Sequence, residues 1–337
     1  MSPRRWLLVI LSFATALGVS AWVVISSWPH GGSTRSLPLA AHLLALTLSL
    51  VDIVARAVKL HWSARSIGCR LPMRPALRAT IGGDFGGAIT PSRSGTEPAR
   101  FLLLSEAKLG AGNAVVVIFT ELALEIAGLV VLALALALIL PRGGLALTGF
   151  IGVVLGFVAL LAGGIVLALA ISRERDEDDP PRWARMLRIS DARWMRLRRP
   201  LRELHERLRV LRRLHPGWAA AALVMTIVHV AARVAILPVL VRTAAPEASL
   251  RPLIIWPLTL YYGAGSAPAP GGGGVVEVAF RAALGGVIPL AYLGASLIWW
   301  RFYSFYFPML LGAVATGRAV TRALRDRADV PVTAERA

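Results

Sequence analysis

The sequence predicts an all-α polytopic membrane protein: six full spans plus two broken or re-entrant helical hairpins in an inverted-topology repeat. Three observations predict it. Of 337 residues, 56% are hydrophobic and only 17% charged, at a mean hydropathy of +0.64, too little polar surface to cover a soluble domain of this length. Apolar runs of twenty or more residues recur, and ~20 residues rising 1.5 Å each cross a ~30 Å hydrocarbon core. Two further apolar segments are interrupted at their centres by Gly and Pro. Alternating strands of the outer-membrane barrel kind are not visible.

The first span, 6–28, lies in MSPRRWLLVILSFATALGVSAWVVISSW. Val19-Ser20-Ala21 is a passable signal-peptide cleavage site, but the apolar run continues through Trp22, Val23, Val24 and Ile25 and more spans follow, so a retained helix is preferred. Further spans are expected at 38–60, 113–140, 144–171, 217–241 and 290–316. The broken segments, 79–109 and 252–289, each carry two apolar arms around a centre: TPSRSGTEPAR in the first, APAPGGGGVVEVAF in the second. The arms near 252–266 and 274–289 count equally well as two short spans; either count returns the chain to its starting side.

Charge sets the orientation. Arg4 and Arg5, then Arg65, Arg70, Arg74 and Arg78, then the arginine-dense 173–213 stretch, then Arg318, Arg322, Arg325 and Arg327 fall on one side. The opposite loops hold only Arg35, Arg142, Arg242 and Arg251. The positive-inside rule makes the first side, and both termini, cytoplasmic in the inner membrane of the cell. The same distribution explains the net charge of +18 without nucleic acid, since the arginines flank apolar runs. Residues 1–140 then form one membrane repeat and 141–316 a second of opposite starting side, followed by a cytoplasmic tail, 317–337. In such repeats, interrupted segments at matched positions point to the substrate site.

The connector 173–216 opens on an acidic run, Glu174, Asp176, Glu177, Asp178 and Asp179, before Pro180-Pro181. After Pro200, Leu201, Leu204, Leu208 and Leu211 recur at helical spacing among Arg202, Arg207, Arg209, Arg212 and Arg213. This amphipathic basic helix either lies on the anionic inner leaflet or packs on the other cytoplasmic loops.

Ionisable residues inside spans cost roughly 2.5–3.5 kcal/mol each near the centre and call for a reason. Arg301, in WWRFYSFYF, is too far from either end to reach water, leaving a structural ion pair or a headgroup contact. Glu121 and Glu125 share a helix face; salt bridges to arginines are preferred over a proton relay. Asp52 and Arg56 are spaced to satisfy each other, and His229 and Arg233 share a face on which Arg233 is the better interior candidate. Six histidines without metal-ligand spacing predict no metal site, and no cofactor is expected. The single Cys69 rules out an internal disulfide or a cysteine-based cluster.

At the breaks, a restarting helix aims free N–H groups and partial positive charge at the gap, which suits a phosphate. In the first, Thr96 is a candidate N-cap after Ser94 and Gly95, with Glu97 in the first turn and Arg93 and Arg100 bracketing it. In the second, Gly271, Gly272, Gly273 and Gly274 permit close approach, the helix restarts near Gly274, Glu277 falls in its first turn and Arg281 one turn on. For Glu97 and Glu277, simple compensation of the helix dipole, ~0.3–1 kcal/mol each, is the alternative.

These motifs, GGDFGGAITPSRSGTEPAR followed by Glu121 and Glu125 and later PAPGGGGVVE, resemble the flippase-like membrane domain of lysylphosphatidylglycerol synthases and its stand-alone relatives. The resemblance covers about residues 1–320. It rests on Pro91, Arg93, Gly95 and Glu97 in one half and Pro270, Gly271, Gly272, Gly274 and Glu277 in the other. It implies handling of membrane lipids with anionic or phosphate headgroups, most directly their translocation. The soluble aminoacyl-transferase domain of the full synthases has no room here, so that activity is not expected. Two other classes stay open: a membrane-embedded lipid-modifying enzyme using Glu97, Glu121 or Glu277 as acid or base, and an accessory subunit docking a lipid-synthesis enzyme through 182–213.

Overall fold

Long apolar runs punctuated by proline and glycine fold here as helices, and the prolines mark where they begin. The computed structural model describes residues 36–139, 144–173, 214–263, 269 and 271–328, with Gly18, Trp22 and Ile25 as isolated helical positions. The rest of the predicted first span 6–28, most of the 173–216 connector with its 182–213 helix, Pro270 and the tail beyond 328 lie outside the described residues. In order the helices are α1 (Leu39–Ser66), α2 (Met73–Ala88), α3 (Thr96–Glu106), α4 (Ala111–Ile139), α5 (Gly144–Arg173), α6 (Pro216–Arg242), α7 (Leu250–Gly263), α8 (Val275–Leu284), α9 (Leu290–Arg301), a π turn (Phe302–Tyr306) and α10 (Phe307–Ala328). Among the described residues there is no strand. Pro38, Pro72 and Pro289 occupy N-cap positions and Pro216 the first turn of α6, where a missing N–H costs nothing.

By length and composition, α4 and α6 are each apolar enough to cross a bilayer. The 28 residues of α1 are as long, but its apolarity is turned outward. Leu43, Leu44, Leu50, Val51 and Val54 are exposed while Ser49, Asp52 and Lys59 are buried, the reverse of a soluble helix. α1 packs mainly along α6, α2 against α3 and α10, and α4 against α6. Ala41 and Ala45 of α1 belong to one apolar cluster with α6 to α9, and Leu60 and Ala64 to another with α2 to α4. Ser49, Asp52 and Lys59 lie between these two.

Several boundaries differ from expectation: the first arm of the segment expected at 79–109 begins at Met73, and the last helix runs beyond 316 to Ala328. The span expected at 38–60 continues to Ser66, because hydropathy stops where side chains turn polar and the helix does not. Those polar residues dock on the start of α6: the His215 N–H donates to the Ser66 carbonyl at 2.8 Å, and Arg65 lies 4.9 Å over the Trp218 ring. The span expected at 290–316 is interrupted by the π turn directly after Arg301. Such one-residue insertions in a helix often sit at functional sites.

The first broken segment is a helical hairpin of α2 and α3, tightly closed because neither arm carries side chains where they cross. A Cβ on Gly95 would stand 2.5 Å from the Gly86 carbonyl oxygen, and one on Gly86 would stand 2.6 Å from the Gly95 carbonyl oxygen. This closeness also corrects the cap. Gly95, not Thr96, holds the N-cap position of α3, and the Gly95 N–H is satisfied by Thr90 Oγ1 at 2.7 Å. The turn itself is strained: Ser92 and Arg93 adopt φ of 52° and 56°, the left-handed region that costs a residue with a side chain of order 1–3 kcal/mol.

Candidate functional site

Helical spacing puts Asp52, Arg56 and Lys59 on one stripe of α1, and each meets partners from other helices. Arg56 donates two hydrogen bonds to Asp84 of α2, at 3.0 and 2.8 Å, and lies 3.2 Å from Asp52. The Arg233 guanidinium of α6 reaches Asp52 at 2.5 Å. His229, one turn before Arg233, stands between two carboxylates, with Nε2 3.0 Å from Glu125 and Nδ1 3.4 Å from Asp52. Lys59 Nζ is 2.5 Å from Glu121 and also pairs with Glu125. Arg100 of α3 reaches Glu121 at 2.8 Å and Glu97 at 3.1 Å. The Tyr262 hydroxyl of α7 donates to Glu125 at 3.0 Å.

The result is one chain of alternating charge running through α3, α4, α1, α6 and α2. Isolated, each buried ion would cost several kcal/mol of desolvation, a penalty offset only by close opposite charge and hydrogen bonds. Lys59 and Asp52 are each 2% exposed, so both depend wholly on these partners. The expected Asp52–Arg56 pair is present, and Glu121 and Glu125 are salt-bridged, with Lys59 rather than an arginine as their common partner.

Arg93 ends this chain and differs from its other cations. The strained hairpin turn presents its side chain inward and half-buried; its nearest carboxylate, on Asp84, is 3.8 Å away. Its guanidinium lies 5.2 Å from the centre of the Tyr261 ring, and Arg233 lies 4.1 Å from the same ring. Tyr261 sits in the last turns of α7, the first arm of the second broken segment. Two cations on one ring polarise it strongly and bring the first break against the second segment. The space beside Arg233, Tyr261 and Tyr262, closed by Trp300 and Ser304, is about 10 Å³, room for one water and not for a phosphate.

The second break builds its own centre. Gly271, Gly272 and Gly274 take φ of 59°, 72° and 81°, open mainly to glycine, and all three are buried, with Gly273 half-buried. The helix restarts at Val275, as expected from the glycine run. Glu277 accepts the Gly274 N–H at 2.7 Å and pairs through its other oxygen with Arg301 at 2.9 Å, joining dipole compensation to a buried ion pair. Arg301 also donates to the Gly271 carbonyl at 3.2 Å and stacks over Phe305 at 4.6 Å, within the π turn.

Of the residues expected at a site, the structure gathers Arg93, Glu97, Arg100, Glu121, Glu125 and Arg233 into one network, with Gly95 and Thr96 at the turn. It places Gly271, Gly272, Gly274, Glu277 and Arg301 in the other centre. Ser94 and Arg281 are exposed: Arg281 lies on the outer side of α8, whose buried face is Val276, Glu277, Phe280 and Leu284. Four members of the network are not evident from the sequence. Lys59 falls at the end of its expected span, where reaching water explains a lysine. Asp84 lies within GGDFGG, where a carboxylate among glycines is a usable signal. Tyr261 and Tyr262 carry no signal beyond adjoining a break.

The sequence matches, over residues 5–312, a family model described as the lysylphosphatidylglycerol synthase TM region. No curated protein matches it.

Proposed function

The chain belongs to the lysylphosphatidylglycerol synthase TM-region family, and from that premise we propose that this membrane protein is a lipid translocase. It moves a lipid or lipid-linked intermediate with a phosphate-bearing headgroup between leaflets. One observation carries the reading: Arg93 is a half-buried cation, held by a strained turn, whose nearest carboxylate is 3.8 Å away, whereas Arg56, Lys59, Arg100 and Arg233 each have one within 2.8 Å. Its charge is the least neutralised in the network and suits a phosphate. Because the adjoining space is about 10 Å³, headgroup binding requires α7 to part from α6 and α9.

Arg93→Ala should lower translocation of a fluorescent phosphatidylglycerol in proteoliposomes by about 10- to 100-fold, the effect of losing one charge-assisted hydrogen bond worth ~1.5–3 kcal/mol. Arg93→Lys should retain part of the rate, since charge persists without the planar fork. An unchanged rate in Arg93→Ala would remove the headgroup role.

The reading includes an inverted repeat in which α2–α3 and α7–α8 are the matched broken segments, with both termini and Cys69 cytoplasmic. Cys69 follows α1 in a half-buried loop, and burial pushes its thiol pKa up. A membrane-impermeant maleimide added to intact cells should therefore leave Cys69 unmodified. After permeabilisation, modification should quicken as pH rises toward that raised pKa, because the thiolate is the reactive form. Ready labelling of intact cells would reverse the topology.

A further inference from the structure

We propose that the apolar groove between α4, α6 and α7 holds one acyl chain of the translocated lipid, a reading that rests on the headgroup site proposed above. The groove encloses about 340 Å³, and every residue lining it is aliphatic or proline, among them Leu136, Ile227, Val234, Pro238, Leu250 and Leu258. That volume falls within the ~300–1,000 Å³ of sites that take small ligands. Along α6 the lining runs from Ile227 to Val239, about 18 Å at 1.5 Å per residue, an elongated shape that suits a straight chain. The mouth is open, with Ile227 39% and Leu250 42% exposed, and the floor is closed, with Val230 3% and Leu258 1% exposed.

The groove has a physical cause. α4 and α6 touch closely at Gly128, where a Cβ would stand 2.5 Å from the Thr226 methyl. Further along, Pro238 lies inside α6, on the groove's lining, and Pro257 inside α7. A proline inside a helix removes one backbone hydrogen bond and crowds the carbonyl four residues back, bending the helix.

What identifies the occupant is continuity with the polar site. Val230, Val234 and Leu258 form the groove's floor and also wall the small cavity beside Arg233, Tyr261 and Tyr262. On that polar side Arg233 is 5% exposed, and its Nε is buried with no hydrogen-bond partner. An aliphatic trough that shares its floor with a cavity bordered by a buried guanidinium matches an amphiphile: chain on one side, phosphate on the other. A purely apolar partner would not use that donor. A headgroup alone would not need the trough.

The test uses full-length protein in nanodiscs containing phosphatidylglycerol with a diazirine midway along one acyl chain, with adducts mapped by mass spectrometry after illumination. Adducts should concentrate on the groove peptides around Leu136, Ile227 and Leu250. They should fall at least fivefold in Ala231→Trp and in the milder Ala235→Leu, both of which fill the groove, and stay unchanged in Leu155→Trp on the exposed face of α5. Ala235→Leu keeps the test decisive if the larger residue prevents folding. Adducts spread evenly over Leu134, Leu155 and the groove would overturn the proposal. So would a groove left unlabelled because another occupant, residues 6–28 included, fills it. Failure of the headgroup reading is distinguishable: Arg93→Ala would leave translocation unchanged while groove adducts persisted.

Discussion

Lys59→Met will destabilise the protein by about 3–5 kcal/mol, the usual cost of removing one partner from a buried ionic group. Lys59 is 2% exposed and is the shared partner of Glu121 and Glu125, carboxylates one helical turn apart. Without it they repel across a low-dielectric interior. Arg100 still serves Glu121, and His229 and Tyr262 still serve Glu125, so the helices remain assembled but strained. Size-exclusion chromatography after a heating series in detergent should show a midpoint lower by roughly 10 °C, taking ~2–4 °C per kcal/mol for a domain of this class of size. Lys59→Met with Glu125→Gln should recover most of the loss, because Arg100 still pairs with Glu121 and the amide introduced by Glu125→Gln leaves no unpaired anion. A single variant as stable as the parent would show that Lys59 is not the keystone of the network.

Arg301→Leu will have the second large effect. It strands the Glu277 carboxylate, 3% exposed, with only the Gly274 N–H to satisfy it, and it releases the Gly271 carbonyl. The expected loss is again ~3–5 kcal/mol, together with loss of translocation. The double variant Arg301→Leu with Glu277→Gln separates folding from binding: the amide introduced by Glu277→Gln can still cap the restarted helix without burying a charge, so the fold should return. If translocation returns with it, Arg301 serves the architecture alone. If the refolded double variant is inactive, the arginine also meets the headgroup. A stable, active Arg301→Leu would dismiss both roles.

The helices are legible because apolar runs of bilayer length admit no other backbone that satisfies its own hydrogen bonds, and the two breaks are legible because glycine and proline cannot be hidden in such runs. The restart near Gly274 follows from that chemistry alone. The cap at Gly95 does not: Thr96 has the better capping side chain, and only the crossing of α2 and α3 shows that a Cβ at Gly95 is intolerable. Likewise the π turn has no sequence mark; it falls where Arg301 stacks over Phe305 beside Gly271. The pairing of Asp84 with Arg56, or of Tyr261 with Arg93, joins residues from separate helices, and a periodicity argument confined to one helix cannot reach across. Lys59 is hidden by its boundary. With the span ending at residue 60 it is a surface lysine, and with the helix continuing to Ser66 it becomes a buried one.

The alternating network also has an electrical consequence. Arg56, Lys59, Arg93, Arg100 and Arg233 stand against Asp52, Asp84, Glu97, Glu121 and Glu125, so apart from His229 the assembly carries no net charge. A membrane potential does work of about 2.3 kcal/mol per elementary charge per 100 mV, but on a neutral assembly moving as a unit it does almost none. Voltage then has little grip on this network. Under the proposed translocation it would act on whatever unbalanced charge the bound lipid brings.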